Sequence, residues 1–143
     1  MAQEMDVTNV VFDDPVPKSQ VQAELARADA CILHLKRVPT FAHGVSPNKL
    51  FDYLLAARPT LFCVNSPNDP VTAAEAGLGV PPEDPDALAG AMLNLAERPV
   101  EELEEMGRRG RAFVMAEHEW DGLAQRFAEV LETAVAGRRE VEA

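Results

Sequence analysis

Short apolar runs alternate along the chain with stretches in which apolar residues recur at helical spacing. The runs have the composition of buried strands and lie at residues 9–12, 30–33, 60–64 and 78–80. Strand-like runs that alternate with helical stretches are typical of βαβ units, in which right-handed crossovers join parallel strands. The alternation therefore predicts an α/β fold class, a parallel sheet with flanking helices, in one domain of 143 residues.

Three helices are predicted in the C-terminal half. Asp84 has the residue type of an N-cap, and Pro85 suits the first position of the helix that follows. The second helix is predicted to begin near Pro99 and the third near Asp121. Helical spacing predicts the buried side of each: Leu88, Ala91, Met92 and Leu95 in the first, Leu103, Met106, Gly110, Phe113 and Val114 in the second, and Leu123, Phe127, Val130, Leu131 and Val135 in the third.

Charge and composition narrow the class of function. The net charge of -11 argues against a nucleic-acid-binding surface, which needs clustered positive charge. Cys31 and Cys63 lie in apolar runs and are expected as buried, reduced thiols, while the scattered histidines predict no metal site. The sequence contains no signal-peptide pattern and no apolar run of membrane-spanning length, so we expect a cytoplasmic protein without a transmembrane segment.

The segment of residues 44–64, GVSPNKLFDYLLAARPTLFCV, predicts a helix over residues 47–57 followed by a strand. Ser46 is predicted as the N-cap and Pro47 as part of the first turn. On a helical wheel the apolar residues fill one side. The other side carries Asn48, Lys49, Asp52, Tyr53 and Ala56.

The polar side of this helix has two interpretations. Lys49 lies in the first turn, where a cation opposes the helix dipole, and such a local conflict is typical of a site for a phosphate group. Asp52, one turn further on, could accept hydrogen bonds from the hydroxyls of a ribose. Alternatively, the side is simply solvated, with Lys49 and Asp52 forming an i,i+3 ion pair. The residues alone leave both interpretations open.

Four segments in order resemble the donor-binding domain of GT-B glycosyltransferases of the retaining family 4 type. They are residues 9–33, residues 44–64, the stretch AGLGVPPEDPDALAGAMLNLAERP, and the closing stretch MGRRGRAFVMAEHEWDGLAQRFAEVL with its tryptophan. The stretch SPNKLFDY is most similar to the corresponding stretch of enzymes that build lipopolysaccharide or capsule from UDP-linked amino sugars. The resemblance covers almost the whole chain.

The resemblance implies a nucleotide sugar as the substrate, and it implies that neither a cofactor nor a metal is required. It implies that Val16 borders the base, that Asn48 and Lys49 meet the diphosphate, and that Asp52 binds the ribose. Gly44 occupies the position of an acidic residue near the donor sugar, with His43 as a speculative substitute, and Ser46 completes the candidate nucleotide-sugar-binding set. No catalytic residue is identified. The implied activity is hexosyl or N-acetylhexosaminyl transfer to a polysaccharide or lipid-linked acceptor.

The resemblance also predicts that residues 1–143 are a partial donor domain with a Rossmann-like parallel sheet, an incomplete half that lacks two βα units and the acceptor domain. Residues 1–6 are then the tail of a preceding helix, and residues 137–143 a frayed tail. The strand at residues 9–12 is expected not to pair with the strand at residues 30–33 unless the sheet has re-closed or another chain fills the gap. Such a chain is expected to be inactive alone.

Other classes of function stay open at this point. The chain could be a non-catalytic α/β interaction module, or half of a split enzyme that a partner chain or self-association completes. A sugar-nucleotide epimerase shares the two-Rossmann architecture and is a further alternative.

Overall fold

The computed structural model describes residues 7–141 and confirms the α/β fold class. Three parallel strands form a sheet in the order β1-β2-β3: β1 (Cys31–His34), β2 (Thr60–Cys63) and β3 (Gly77–Gly79). The helices are α1 (Val21–Leu25), α2 (Asn48–Leu55), α3 (Pro70–Ala73), α4 (Pro85–Ala96), α5 (Val100–Glu117) and α6 (Trp120–Val141). Two 3-10 turns, Lys18–Gln20 and Pro39–His43, precede α1 and α2.

Strand β2 is the centre of the molecule. Each of its residues is buried, because β1 and β3 pair with its two edges and helices cover both faces. One core cluster joins the sheet to α2, α3 and α5 through residues such as Leu54, Phe62 and Val114. A second cluster, on which α4 and α5 pack, includes Leu61 and Met106. This two-sided burial explains why residues 60–64 are a continuous apolar run.

Helices α2 and α5 approach each other closely because two glycines of α5 face α2. A Cβ atom at Gly107 would lie 1.9 Å from the carbonyl oxygen of Ala57, and one at Gly110 would lie 2.8 Å from Leu54 Cδ2. Both positions are buried. The predicted inward residues Met106, Gly110 and Val114 are therefore confirmed. Gly110 and Val114 pack α5 against α2, whereas Met106 packs in the second cluster.

The predicted strand at residues 9–12 is wrong. These residues form no strand, and Val11 and Phe12 are 79% and 81% exposed. A strand needs a partner edge for its backbone groups, and β-branched composition alone does not supply one. The expectation that this segment does not pair with β1 is confirmed, because the described sheet contains only the three later strands.

The burial predicted for α6 is wrong. Its helical extent from Trp120 agrees with the sequence, but the predicted inward residues are exposed, with Phe127 at 65% and Val130 at 64%. No residue from 120 to 137 is buried, because no other described element covers the apolar side of the helix. The helix extends to Val141, and the frayed tail expected for residues 137–143 stays a prediction.

Helix α4 follows its prediction in part. The Asp84 carboxylate accepts a hydrogen bond from the Ala87 amide at 2.9 Å, so the predicted N-cap is confirmed. Leu95 is buried as expected, whereas Met92 is 49% exposed beside an open cleft. The helical tail predicted for residues 1–6 lies outside the described residues. No helix in the described part of the chain is long and apolar enough to cross a membrane.

Candidate functional site

The candidate site is the N-terminal end of α2. The chain leaves the carboxyl end of β1 at His34, passes through the 3-10 turn Pro39–His43, and enters α2 at Asn48. A helix that follows a strand in a parallel sheet has its N-terminus at the carboxyl edge of the sheet, where α/β proteins bind ligands. The topology therefore places the polar residues of this helix at the binding edge.

The start of α2 differs from its prediction. Ser46 is not the N-cap; that position belongs to Pro47, which has extended backbone angles and no side chain able to accept a hydrogen bond. The helix begins one residue later than expected, at Asn48. The amides of Asn48 and Lys49 donate no hydrogen bond to any described residue. Two unpaired amides at the positive end of the helix dipole are suited to binding an anion.

The loop that enters α2 is held by a residue that the sequence did not single out. Asn68, after β2, donates from Nδ2 to the Val45 carbonyl at 2.6 Å and accepts from the Val45 amide at Oδ1 at 2.8 Å. This pair of bonds fixes the backbone just ahead of Ser46. Nothing local in the sequence predicts a contact between positions 23 residues apart. Asn68 is therefore a positioning residue for the candidate site.

Gly44 precedes this fixed backbone and has a φ of 115°. Residues with a Cβ atom rarely adopt this region, and a Cβ here would lie 3.3 Å from Asn68 Oδ1. The backbone conformation thus gives a physical reason for glycine where the resembling family carries an acidic residue. His43, the speculative substitute, ends the preceding 3-10 turn and is exposed.

Lys49 and Asp52 lie on the solvent side of α2, as predicted. Lys49 is exposed and Asp52 is half-buried. The two side chains do not form an ion pair with each other within 4 Å, so the contact proposed for the simply solvated side is not made. Within the described residues, Lys49 has no carboxylate partner. Its charge at the positive end of the helix is therefore not offset by the fold.

Helix α1 lies beside the same side of α2. The Gln22 side chain donates from Nε2 to the Asp52 carbonyl oxygen at 3.1 Å, and Arg58 donates to the Ala26 carbonyl. Val16 lies in the irregular segment ahead of α1 and is 41% exposed. The structure thus brings α1, the element that follows Val16, to the turn containing Asp52.

A cavity of about 640 Å³ opens on the other flank of the α2 N-terminus. Ser46 and Pro47 line one side, and Asn68 and Asp69 line another. The cavity wall includes the His118 ring, whose centroid lies 4.7 Å from that of Phe51 and 5.6 Å from that of Phe113. Among the predicted residues Ser46 lines this cavity, whereas Asn48, Lys49 and Asp52 do not.

The ionisable groups behind the site favour their neutral forms. Burial raises the pKa of the Tyr53 hydroxyl, and the nearby Cys31 and Asp52 raise it further. Burial also raises the pKa of the Cys31 thiol, which Arg58 partly opposes, and that of the Cys63 thiol. Both thiols are buried and free, as predicted. A protonated buried thiol is a poor nucleophile, so neither cysteine is suited to covalent catalysis.

Metal ligands do not cluster in the described part of the chain, where no group of three or more His, Cys, Asp or Glu side chains could hold an ion. The α2 amides, Lys49 and Asp52 share one helix, and both side chains are at least partly open to solvent. Their chemistry suits a ligand that combines an anionic group with hydroxyl groups.

The comparison with solved structures finds the same fold. The chain is similar to sucrose-phosphate synthase from Thermosynechococcus elongatus, with a TM-score of 0.73 and 22% sequence identity. The match covers 95% of this chain and 33% of that chain, so the chain spans about a third of the length of the protein it matches. No protein-family model matches the chain, and neither does any curated protein. The likeness supports the GT-B glycosyltransferase fold: the three-stranded parallel sheet and its helices are similar to part of such a structure.

Proposed function

We propose that the chain is a donor-binding domain of a retaining glycosyltransferase of the family 4 type. It binds a nucleoside-diphosphate sugar, with UDP as the nucleotide, for transfer to a cell-surface polysaccharide or lipid-linked acceptor. The observation that carries the proposal is the N-terminus of α2. There the backbone amides of Asn48 and Lys49 have no hydrogen-bond partner among the described residues, and the exposed Lys49 side chain adds a positive charge. The GT-B-like fold supports it.

Each residue of the candidate site has one role in this proposal. The Asn48 and Lys49 amides and the Lys49 ammonium group bind the diphosphate, and the Asp52 carboxylate accepts hydrogen bonds from the ribose hydroxyls. Val16 borders the base. Gly44 allows the backbone turn that leads through Ser46 to the helix.

The proposed chemistry is stabilisation of the departing nucleoside diphosphate. Negative charge develops on the diphosphate as the glycosidic bond breaks, and fixed amides with one lysine stabilise that charge most strongly where it is greatest. No cofactor or metal is needed for this role.

The acceptor is bound elsewhere in this proposal. The chain spans about a third of the glycosyltransferase-like protein it matches, and the described residues supply only the donor side of the reaction. The chain alone then binds the nucleotide sugar without transferring the sugar. The function fits a cytoplasmic location, including the inner face of the cell membrane.

Titration of the full chain with UDP, UDP-sugars and uridine tests the proposal. By isothermal calorimetry and amide NMR, we expect saturable binding of UDP, with uridine much weaker because it lacks the diphosphate. Lys49→Ala and Asp52→Asn should each weaken UDP binding roughly 10-fold or more, the size of one lost hydrogen bond to a charged group. Arg27→Gln removes an exposed cation ahead of β1, at the amino edge of the sheet; it is the control variant and should bind UDP normally.

A non-catalytic interaction module is the second candidate. The exposed apolar side of α6 favours it, because such a surface is typical of a docking face. A folded chain that binds neither UDP nor any UDP-sugar would support the module and contradict the donor-binding proposal. Circular dichroism on the same samples establishes that the chain is folded.

A further inference from the structure

One edge of the described sheet is open. The Cys31 amide donates to the Pro59 carbonyl at 2.8 Å, and the Leu35 amide donates to the Cys63 carbonyl at 3.2 Å. Because hydrogen bonding alternates along a strand, the backbone groups of Ile32 and His34 point away from β2. No described strand pairs with them. Strand β1 therefore presents an unpaired row of donors and acceptors.

An apolar cleft of about 430 Å³ lies beside this edge. Ile32 and Leu61 of the sheet line its floor, and Met92, Leu95 and Val100 of the helices line its wall. Ile32 is 40% exposed, Met92 49% and Val100 65%. An edge strand next to an apolar cleft is the arrangement that accepts an added strand, because backbone bonds and side-chain burial then form together.

The same chain carries a strand-like segment that pairs with nothing described. Residues 9–12 have two adjacent valines and a phenylalanine, residue types that favour strands. They form no regular structure, and Val10 is 48% exposed, with Val11 and Phe12 far more so. An exposed apolar segment and an exposed edge therefore occur together in one molecule.

We propose that the open edge of β1 accepts residues 9–12 of a second copy of this chain as a parallel strand. Two chains exchange these segments reciprocally, so that each sheet gains a fourth strand. The inference is independent of the proposed nucleotide-sugar binding.

Charge selects the parallel orientation. Asp13 and Asp14 follow the segment, and Lys36 and Arg37 follow β1; all four are exposed. A parallel strand places these opposite charges side by side. An antiparallel strand would instead place the two aspartates beside Asp29, where like charges repel.

The charges and the pleat together define one register, with Val10 beside Ile32. In a parallel ladder the Ile32 amide then donates to the Asn9 carbonyl, and the Val11 amide donates to the Ile32 carbonyl. The side chains of Val10 and Phe12 lie on the same face as Ile32, over the apolar cleft. The register thus buries two apolar side chains of each exchanged segment.

A second copy is the proposed occupant because, among residues 7–141, the segment and the edge of β1 both stay unpaired, and their flanking charges are complementary. Residues 13–30 are long enough for a crossover that would return the segment to its own β1. The structure instead leaves the segment and the edge apart, with α1 held against its neighbours by Gln22 and Arg58. A second copy supplies the missing strand.

Sedimentation of the full chain tests the exchange. Over a roughly hundredfold concentration range, the mass should rise from 15.6 kDa towards twice that value. Val11→Pro removes the Val11 amide from the ladder and should keep the chain monomeric. Val11→Thr, which retains the amide and the β-branch, should dimerise like the parent chain. Because Val11 is 79% exposed, neither change disturbs the core.

A cysteine experiment tests the register. A chain with Val10→Cys is mixed with a chain carrying Ile32→Cys, and oxidation should form a disulfide between positions 10 and 32, which lie on different chains in this mixture. A Val11→Cys chain mixed with the Ile32→Cys chain places the thiols on opposite faces and should cross-link at least several-fold less. Mixing each variant with the parent chain corrects for the buried Cys31 and Cys63.

Four results would overturn the inference: a monomer at every concentration, a dimer that survives Val11→Pro, equal cross-linking in both mixtures, or cross-linking in neither. A chain carrying both Val10→Cys and Ile32→Cys that closes on itself as a monomer would show that the segment pairs with its own edge, which also contradicts a second copy. None of these assays contains nucleotide, so their failure and a failure to bind UDP are distinguishable.

Discussion

Helices α5 and α6 are neighbours in the chain with opposite environments. Both are long, at 18 and 22 residues, and both repeat apolar residues at helical spacing. Helix α5 buries Met106, Gly107, Gly110 and Val114 against α2 and the sheet. Helix α6 buries no residue from 120 to 137. The same periodicity therefore led to a packed helix in one case and an exposed one in the other.

The difference shows what helical spacing can and cannot predict. Spacing identifies the side of a helix that would be buried, but burial needs a second surface of matching shape. In α5 two glycines allow that surface to approach, and α2 supplies it. In α6 no described element lies opposite. Mutations at equivalent positions of the two regions can test this explanation.

Truncation of apolar side chains should give the largest contrast. Leu54 is fully buried under Gly110 of α5, so Leu54→Ala should lower the free energy of unfolding by about 3–4 kcal/mol. Phe127→Ala in α6 removes a larger but 65% exposed side chain and should change it by less than about 0.5 kcal/mol. Urea unfolding followed by circular dichroism measures both. Comparable losses would mean that α6 is packed in solution.

Replacement of glycine by alanine should give the second-largest contrast, because it should destabilise the chain in α5 and stabilise it in α6. Gly107→Ala forces a Cβ atom against the Ala57 carbonyl and should destabilise the chain by about 2–3 kcal/mol. Gly122→Ala in α6 meets nothing within 4 Å and should stabilise it by about 0.5 kcal/mol through helix propensity. Thermal unfolding of the two variants beside the parent chain measures the shifts. Destabilisation by Gly122→Ala would contradict an open surface there.

The free energy of unfolding should also depend on pH through a buried thiol near α5, and this effect should be smaller than those of the substitutions above. Cys63 lies in the cluster that contains Met106 of α5, and burial raises its pKa above the ordinary value of 9.0. The unfolded chain loses this proton first, so the free energy of unfolding should fall as pH rises from about 9 towards the raised pKa. Urea unfolding from pH 7 to 10 should show a shallower fall for Cys63→Ala. Equal slopes would contradict a buried thiol.

The smallest effect is expected on the solvent side of α2, opposite α5. Lys49 places a positive charge at the positive end of the helix, so Lys49→Gln should raise the free energy of unfolding by about 0.3–0.5 kcal/mol. Lys36→Gln, outside any helix, should leave it unchanged. Thermal unfolding at low salt gives the largest signal. If Lys49→Gln destabilises the chain, Lys49 contributes to the fold, which would weaken its assignment to a ligand.

The order of elements was predictable because local signals specify it. The three strands at residues 30–33, 60–64 and 78–80 and the Asp84 cap all follow from short-range composition and spacing, and the structure confirms them. The strand predicted at residues 9–12 fails, since pairing requires a distant edge. The buried face predicted for α5 agrees with the structure and the one predicted for α6 does not, although the two helices have similar patterns of apolar residues.

The candidate site was predictable to a smaller extent. Lys49 and Asp52 lie on the solvent side of α2, as the helical wheel predicts, and their binding roles stay predictions. The N-cap is Pro47 and not the predicted Ser46. A difference of one residue at the start of a helix depends on how the preceding loop is held. That loop is held by Asn68, whose two bonds to Val45 join segments far apart in sequence.

The α/β class, the order of the three strands and the helices between them, and the polar side of α2 could be inferred from local sequence. These properties depend on the period of apolar residues and on capping residues, both of which act over a few positions. The enclosure of β2, the open edge of β1 in the described sheet, and the contrast between packed α5 and exposed α6 depend on tertiary contacts. Burial and strand pairing belong to two surfaces that meet, and local sequence describes only one of them.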